Sequence, residues 1–298
     1  MTVQWFRVAV PVAGGWRSPN APRDIDAPAL GADPDIRGWL DGMTADDKRG
    51  LVGRLETQVL LGETVIHEET LDEWAHVAIP DQPATSGGAP YRCWVPLAQL
   101  APADSAPTTT GVTATVLAPV APLDAGSGSV DLSFGTALPH LGDDDGRVAV
   151  ALPDGRTGWL GRGDVAIHDH ASPALQATAA SVTSTLQSFV GLPYLWAGRS
   201  GFGFDCSGLV QLVHRVHGIT LPRDTGPMSA AGEPVDAAGR QPGDLVFFER
   251  NGDVHHVVTW LGDGLVVESP KTGLPVRVIE LDALPYAAEV TVTRRVLR

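Results

Sequence analysis

The chain has 298 residues, with 35 acidic side chains against 21 basic ones and a formal net charge of −14. This acidic balance disfavours nucleic acids and anionic membranes as partners, and no apolar run approaches the ~20 residues that a membrane span needs. Two cysteines, Cys93 and Cys206, provide no disulfide framework, which favours a reducing compartment. Because the first residues lack the charged start, apolar core and cleavage site of a signal peptide, we expect a cytoplasmic protein.

Two stretches rich in proline and small residues, 101–110 and 169–175, are typical of linkers. They divide the chain into three units, a division that suits its length. We predict domains at residues 1–105, 106–170 and 175–298.

The first two units contain a weak internal repeat of short apolar segments. One copy comprises 60–65, 74–78 and 91–96, and the other comprises 132–137, 147–151 and 158–160. Short strands with turns about every eight to twelve residues predict two small β-barrels. The first barrel is expected to start at residues 7–12. It should carry a helical insertion near 34–53, where Ile36, Leu40 and Met43 recur at helical spacing.

In the third unit, Cys206 stands directly before an amphipathic run. Leu209, Val213 and Val216 recur at i, i+4 and i+7, and Gly218 closes the run as a C′ glycine would. The cysteine is therefore expected in the first turn of a helix. Unpaired backbone N–H groups and the helix dipole favour a thiolate there, and we expect the thiol pKa to fall from about 8.5 towards neutral or below. Cys206 is thus a candidate nucleophile.

A base for this thiol is available at His255 or His256. The runs 257–261 and 265–268 predict a hairpin around Gly262-Asp263-Gly264. A three-residue loop would pair Leu261 with Leu265 and place His256 on the face of Glu268, whereas a two-residue Asp-Gly turn would align His255 with it. Neighbouring strand residues point to opposite faces, so only one histidine can serve the site.

Other histidines have weaker claims to function. His168 and His170 stand at strand spacing, but zinc requires three or four ligands, and no further cysteine or acidic residue follows the same spacing. We therefore expect neither a metal nor a cofactor. His214 and His217 lie in the last turn of the cysteine helix, where as cations they would complement the helix dipole.

Five motifs of the third unit occur in a fixed order: GLPYLWAG (191–198), FDCSG (204–208), LPRDT (221–225), PGDLVFF (242–248) and HVVTWLGDG (256–264). Together they resemble the NlpC-type cell-wall cysteine peptidases, a papain-like family that cuts peptidoglycan peptides. The resemblance implies a papain-like α+β domain in which Cys206 is the nucleophile and His256 the base. It also favours the three-residue hairpin loop. Glu268 stands where the family usually has a histidine or a neutral amide, and a carboxylate could orient the imidazole in the same way.

The order of the units is similar to that of γ-D-glutamyl-L-diamino acid endopeptidases with two bacterial SH3-like barrels. That resemblance implies six substrate-binding residues: Glu56, Tyr91 and Asp205 for a free N-terminal amine, Ser207 and Thr225 for the γ-D-glutamyl group, and Trp196 as a wall of the pocket. The expected substrate is a peptidoglycan peptide, L-Ala-γ-D-Glu-diamino acid, met during muropeptide recycling. Two alternatives remain: acyl transfer from the same Cys-His site, and an inactive protein that binds the cell wall through its barrels.

Overall fold

The computed structural model describes residues 3–103, 110–126 and 128–297. Its first unit is an antiparallel sheet of seven strands in the order β3-β2-β6-β5-β4-β1-β7. The strands are β1 (Gln4–Val8), β2 (Val12–Trp16), β3 (Leu55–Leu60), β4 (Thr64–Leu71), β5 (Trp74–Pro83), β6 (Pro90–Pro96) and β7 (Leu100–Ala103). The sheet thus begins at Gln4, earlier than the predicted start at residues 7–12.

The helical insertion lies between β2 and β3, as the apolar spacing predicted. It contains two short helices, α1 (Ile36–Gly42) and α2 (Ala45–Arg49). Thr44 begins α2 with a capping box, since its hydroxyl accepts from the Asp47 amide and the Asp47 carboxylate accepts from the Thr44 amide. Ile36 and Trp39 are buried and join the core that the insertion shares with the third unit.

The second unit repeats the first, strand for strand. Its strands are β8 (Val112–Val116), β9 (Val120–Asp124), β10 (Ser129–Ser133), β11 (Ala137–Asp144), β12 (Arg147–Ala151), β13 (Thr157–Gly161) and β14 (Val165–Asp169). Their order, β10-β9-β13-β12-β11-β8-β14, is the order of the first sheet with seven added to every number. The predicted internal repeat and the two SH3-like barrels are therefore confirmed.

The same turn of each barrel packs against the unit that follows it. Gly62 and Gly135 occupy equivalent turns, between β3 and β4 and between β10 and β11, with φ of 81° and 80°. A Cβ on Gly62 would lie 2.8 Å from Leu138 of the second barrel, and one on Gly135 would lie 2.8 Å from Leu212 of the third unit. At both positions glycine is needed for two reasons: the backbone has a positive φ, and a leucine side chain of the next unit approaches closely.

The third unit is an α+β domain built on a six-stranded sheet in the order β17-β22-β18-β19-β20-β21. The elements are α3 (Ala179–Gln187), β15 (Arg199–Ser200), β16 (Gly203–Phe204), α4 (Cys206–Val216), α5 (Thr225–Met228), β17 (Glu233–Pro234), β18 (Leu245–Arg250), β19 (Asp253–Gly262), β20 (Leu265–Glu268), β21 (Arg277–Glu280) and β22 (Val290–Arg295). Val210 of α4 packs with Leu245, Phe247 and Val257 of the sheet. Within the described ranges, no helix is long and apolar enough to cross a bilayer.

The predicted linkers agree only partly with the structure. Residues 100–103 form β7 and pair with β1, so the first linker cannot begin at residue 101. The stretch 104–109 lies outside the described residues, and with it the boundary between the first two domains. The second linker follows β14, which ends at Asp169. Short 3₁₀ helices occupy several connections: Asp24–Ala29, Leu97–Gln99, Arg162–Asp164, Ala237–Gly239, Leu281–Ala283 and Ala287–Glu289.

A buried polar cluster joins the first barrel to the third unit. The Arg199 side chain is fully buried and donates to Glu63 at 3.0 Å and to Gln211 at 2.6 Å. Arg215 lies 3.3 Å from the same Glu63 carboxylate. Burial lowers the Arg199 pKa to about 10, although Glu63 opposes this shift. Removing one partner of such a pair typically costs about 3–5 kcal/mol, so the contact holds the two units in a defined arrangement.

Candidate active site

Asp205 sets the start of the cysteine helix. Its backbone is extended, with φ −88° and ψ 179°, and its carboxylate accepts from the Gly208 amide at 2.6 Å. Cys206 is therefore the first residue of α4, as the sequence predicted. A Cβ on Gly208 would overlap the carbonyl oxygen of Gly198, which itself accepts from the Asp205 amide. Glycine at this position lets the helix approach the preceding loop closely enough for the cap to form.

The pKa of the Cys206 thiol moves in the direction opposite to our expectation. Burial, and after it the Asp205 carboxylate, raises this pKa to about 12. The backbone amides of Val257 and Ser207 and the Arg223 guanidinium act in the other direction but do not outweigh burial. The residue as a whole is only partly buried. Because the helix terminus alone does not generate the thiolate, the thiol needs a base.

His256 lies on β19, next to Val257, and is 4% exposed. Its Nε2 is 2.9 Å from Oε2 of Glu268. Among the described residues no hydrogen bond engages Nδ1, so Nδ1 is the ring nitrogen available to a thiol. His255 contacts Glu289 instead, with 2.8 Å from Nε2 to Oε2. A bulge in β19 falls at His255, because Phe248 pairs with His256 and Glu249 with Val254, and the rings of both histidines contact Tyr286. The simple alternation expected for the two histidines is therefore interrupted, and what separates them is the carboxylate that each contacts.

The hairpin that aligns His256 with Glu268 combines both turn types considered above. Asp263 and Gly264, with φ of 50° and 82°, form a two-residue turn, and Gly262 pairs with Leu265. The predicted pairing of Leu261 with Leu265 is therefore wrong. A bulge between Trp260 and Gly262 takes up one residue, so Thr259 pairs with Val267. The strand register is the one that the three-residue loop would have produced.

The Glu268 carboxylate is 1% exposed and accepts hydrogen bonds from three side chains: His256, Arg277 and Tyr286. Burial acts to raise its pKa, but the hydrogen bonds from His256 and Tyr286, together with Arg277, hold the pKa below its usual value. A carboxylate that stays ionised can orient the imidazole and stabilise its protonated form. With this burial, Glu268 is not merely a solvated residue at the end of β20.

The residues expected to bind a substrate amine lie where the first barrel meets the third unit. Tyr91 of β6 donates to Oδ2 of Asp224 at 3.1 Å. Asp224 and Glu56 both act on the Tyr91 phenol, whose pKa is raised by burial and by these two carboxylates. The Glu56 side chain is 29% exposed, with the nearest guanidinium, that of Arg17, 3.9 Å away. Asp224 was not predicted, although it belongs to the LPRDT motif that carried the resemblance.

The Asp205 carboxylate has partners other than those predicted. Arg223, 1% exposed, donates to both of its oxygens at 3.1 and 2.7 Å. The same guanidinium donates to Ser207 Oγ at 3.0 Å and to Thr57 Oγ1 of the first barrel at 2.9 Å. Asp205 is therefore charge-paired within the protein, and a direct contact between it and a substrate amine stays a prediction. The sequence signal for Arg223 was its place beside Asp224 in the LPRDT motif.

The remaining predicted residues line the same region. Ser207 is buried, and its hydroxyl bridges Arg223 and Asp205. The Thr225 hydroxyl donates to the Val254 carbonyl at 2.7 Å. The Trp196 side chain is 36% exposed and its Nε1 donates to the Leu55 carbonyl, directly before Glu56. A wall formed by Trp196 would thus be anchored to the first barrel.

The two histidines considered as possible zinc ligands contact threonine hydroxyls. His168 contacts the Thr115 hydroxyl at 2.9 Å, and His170 contacts the Thr113 hydroxyl at 3.1 Å. Across residues 3–103, 110–126 and 128–297, no group of three or more histidine, cysteine or acidic side chains is arranged to hold a metal. His214 is fully buried with a pKa lowered to about 4 by burial, so it does not complement the helix dipole as a cation.

A cysteine at a helix start, a carboxylate-oriented histidine on the adjacent strand and two SH3-like barrels define a papain-like cysteine peptidase with accessory barrels. The family models agree: that of the NlpC/P60 family matches residues 191–295, and that of the YKFC SH3b2 domain matches 116–168. Two curated relatives, from Bacillus cereus and Bacillus subtilis, are each 35% identical over 97% and 95% of this chain and over 90% and 96% of their own lengths. Both are named gamma-D-glutamyl-L-lysine dipeptidyl-peptidase.

A solved structure of the same family matches the fold of this chain closely. The crystal structure of an NlpC/P60 family protein from Bacillus cereus superposes with a TM-score of 0.94 at 36% identity, covering 99% of this chain and 100% of that one. The chain belongs to the NlpC/P60 family and is a cysteine peptidase of that type.

Proposed function

We propose that the enzyme hydrolyses the γ-D-glutamyl bond to a diamino acid in peptidoglycan-derived peptides that have a free N-terminal L-alanine. The observation that carries this proposal is the position of Tyr91, Asp224 and Glu56, which bring a phenol and two carboxylates from two domains to one end of the site. The names of the two Bacillus relatives support the same bond, cut after an N-terminal dipeptide.

The chemistry of this cluster suits an ammonium group. Burial raises the pKa of the Asp224 carboxyl, an effect that Arg223 opposes and Asp205 reinforces. A further cation beside Asp224 would therefore be stabilised by a partly buried negative charge. Glu56 supports the same role because its cationic neighbour Arg17 lies at the limit of ion-pair distance, with 3.9 Å from Nε to Oε1. We take Asp224, rather than Asp205, as the third member of the amine-binding group.

A closed end to the groove explains why only a free amine would be accepted. The first barrel is fastened to the peptidase domain through Trp196 and Leu55 and through the buried Arg199–Glu63 pair. We infer that a wall fixed in this way blocks a chain that continues beyond the alanine. Peptides still attached to muramic acid would lose the ammonium contact and collide with the barrel, and leaving built-in polar groups unpaired can reject a substrate by about 10⁴-fold.

The hydrolysis follows from the site in two steps. The Cys206 thiol gives its proton to Nδ1 of His256, and the thiolate attacks the γ-carbonyl carbon of D-glutamate. The C–N bond then breaks as His256 protonates the leaving amine, and a thioester remains. Water, deprotonated by His256, attacks the thioester and releases the dipeptide and the thiol. The developing oxyanion would be held by the backbone N–H of Cys206 and by Tyr194, whose pKa is raised by burial and by the nearby Cys206 and Asp205, so that its O–H remains a donor.

An enzyme with this preference would act on wall peptides already stripped of their sugars. Such peptides arise when wall fragments are broken down, and their cleavage is a recycling reaction. We accordingly place the enzyme in muropeptide recycling in the cytoplasm.

The test compares L-Ala-γ-D-Glu-L-Lys and its diaminopimelate analogue with their N-acetylated forms. The free peptides should be cleaved to L-Ala-γ-D-Glu, the acetylated ones should not, and Cys206→Ala should abolish both reactions. Glu56→Gln and Asp224→Asn should raise KM for the free peptides, whereas Glu69→Gln, an exposed carboxylate on the same barrel, should leave KM unchanged.

Equal kcat/KM on free and acetylated peptides would refute the amine-binding role. Acyl transfer, the alternative reaction, would appear as conjugates of L-Ala-γ-D-Glu with an added amine. Mass spectrometry of the products separates it from hydrolysis.

A further inference from the structure

The two oxygens of the Glu268 carboxylate have separate partners. Oε1 accepts from Nε and Nη2 of Arg277 at 2.8 and 2.7 Å. Oε2 accepts from the Tyr286 hydroxyl and contacts His256 Nε2. Arg277 is held in place by the sheet, because it stands directly opposite Glu268 in the pairing of β20 with β21. The strand register therefore places the Arg277 side chain on the same face as the Glu268 carboxylate.

Tyr286 also fixes the plane of the imidazole. Its ring meets that of His256 at 5.0 Å between centroids and 70° between planes, and that of Phe248 at 5.0 Å and 82°. The edge contact acts on the imidazole directly, and the hydroxyl bond holds the Glu268 carboxylate that the imidazole contacts. The imidazole is thus constrained by its hydrogen bond, by Tyr286 and by Phe248.

The charges around the thiol and the imidazole are balanced in pairs. The Asp205 carboxylate, at the N-terminus of α4, is paired with Arg223. The Glu268 carboxylate, on β20, is paired with Arg277. Tyr194 and Tyr286 contribute neutral phenols whose pKa values are raised by burial. His255 contacts Glu289, and its ring lies 6.1 Å from that of Tyr286. Asp205 and Glu268, the carboxylates on either side of the thiol and the imidazole, therefore each have their own arginine.

We propose that Arg277 and Tyr286 are positioning residues that allow a buried glutamate to orient His256 without holding a proton on it. Arg277 neutralises Glu268, so the imidazole remains free to accept the proton of Cys206, and Tyr286 keeps the ring in the plane that this transfer needs. This inference rests on the proposed role of His256 as base. It goes beyond that role because it assigns a function to residues that touch neither thiol nor substrate.

The structure supplies its own control. Around the neighbouring His255, Arg250 donates to Oε1 of Glu289 at 3.0 and 2.7 Å, and His255 contacts Oε2 of the same carboxylate. This is the same Arg–Glu–His arrangement, but the Arg250 side chain is 61% exposed, against 31% for Arg277. Arg250→Met therefore removes the same kind of contact as Arg277→Met, beside His255 rather than His256 and from a more exposed carboxylate.

The first experiment is an NMR titration in the Cys206→Ser background, which needs no turnover. The His256 ring and the Glu268 carboxyl carbon are read in the same samples, because the first proton bound by two interacting groups has an apparent pKa that belongs to the pair rather than to either residue. Arg277→Met should raise that apparent pKa by about one unit or more, since the carboxylate loses its counter-ion. Arg277→Lys should retain the parent value, and Arg250→Met should not change it.

The second experiment measures kcat and KM on the free peptide with Cys206 intact. Arg277→Met and Tyr286→Phe should lower kcat with little change in KM, Arg277→Met by about 10- to 100-fold because misplacement of a catalytic group by about 1 Å can cost that much. Glu268→Gln/Arg277→Met should be more active than Arg277→Met alone, since no unpaired buried charge remains. Circular dichroism and thermal unfolding establish that each variant is folded.

An unchanged apparent pKa in Arg277→Met, together with kcat within twofold of the parent, would overturn the proposal. So would equal effects of Arg277→Met and Arg250→Met. If no peptide is cleaved by the parent, the proposed substrate is wrong, but the titration and the rate of Cys206 alkylation against pH still test the positioning role.

Discussion

His214 makes the cysteine helix sensitive to acid. The side chain is fully buried in α4, Nδ1 contacts the Val210 carbonyl at 2.7 Å, and Nε2 has no partner among the described residues. Burial lowers its pKa from 6.5 to about 4. Between these two values the unfolded chain binds a proton that the folded protein does not. The stability is therefore complete above pH 6.5 and is lost as the pH falls towards 4.

The size of the effect follows from the shift. At about 1.36 kcal/mol per pKa unit, His214 alone should cost about 2–3 kcal/mol of stability between pH 7.5 and pH 4.5. His214→Leu removes the titrating group. Between pH 7.5 and pH 4.5 the variant should therefore lose about 2–3 kcal/mol less stability than the parent. His217, whose pKa is also lowered by burial, acts in the same direction in both proteins.

Native-state hydrogen exchange of the α4 amides gives the opening free energy of this helix at each pH. Only the difference between two pH values is compared, so any packing loss in His214→Leu cancels. An equal pH dependence in parent and variant would refute the reasoning, because it would mean that His214 has the same pKa in the folded helix as in the unfolded chain.

Two further predictions concern the site itself. His256→Ala should lower kcat/KM by at least about 100-fold because it removes the base, whereas His255→Ala, which removes a contact with Glu289 instead, should cost less than about tenfold. Steady-state kinetics on the free peptide decide between them, and the reverse order would contradict the assignment of His256 as the base. Gly208→Ala should lower both activity and melting temperature, because the added methyl would overlap the Gly198 carbonyl and force α4 away from its Asp205 cap; a variant with parent-like activity and melting temperature would show that this contact has no role.

Local patterns predicted much of the fold. The segments 60–65 and 132–137 contain equivalent turns, and the structure extends this likeness to an identical strand order in both barrels. The spacing of apolar residues located α4 and the insertion helices, since helical periodicity is a local property. The hairpin shows where local reasoning ends. Turn chemistry identified an Asp-Gly turn, but the bulge at Leu261 depends on how β19 and β20 fit the rest of the sheet.

The long-range parts of the site could not be predicted in the same way. Arg277 and Tyr286 are nine and eighteen residues beyond Glu268 in the chain, and no spacing rule brings a cation and a phenol to a buried carboxylate. The thiol pKa was mispredicted for a related reason. The helix terminus is visible in the sequence, whereas the burial of Cys206 and the closeness of the Asp205 carboxylate appear only when the chain is folded.

Arg223 connects substrate recognition with the geometry of the nucleophile. Its guanidinium bonds Thr57 of the first barrel, the Asp205 cap of the cysteine helix and Ser207, the residue after the nucleophile. Its backbone neighbour, Asp224, bonds Tyr91 of the same barrel. A displacement of the first barrel would therefore disturb the amine-binding group and the helix cap together. This coupling explains why the barrel is fixed by buried polar contacts rather than by a flexible tether: the wall that selects the substrate is also part of the support for the thiol.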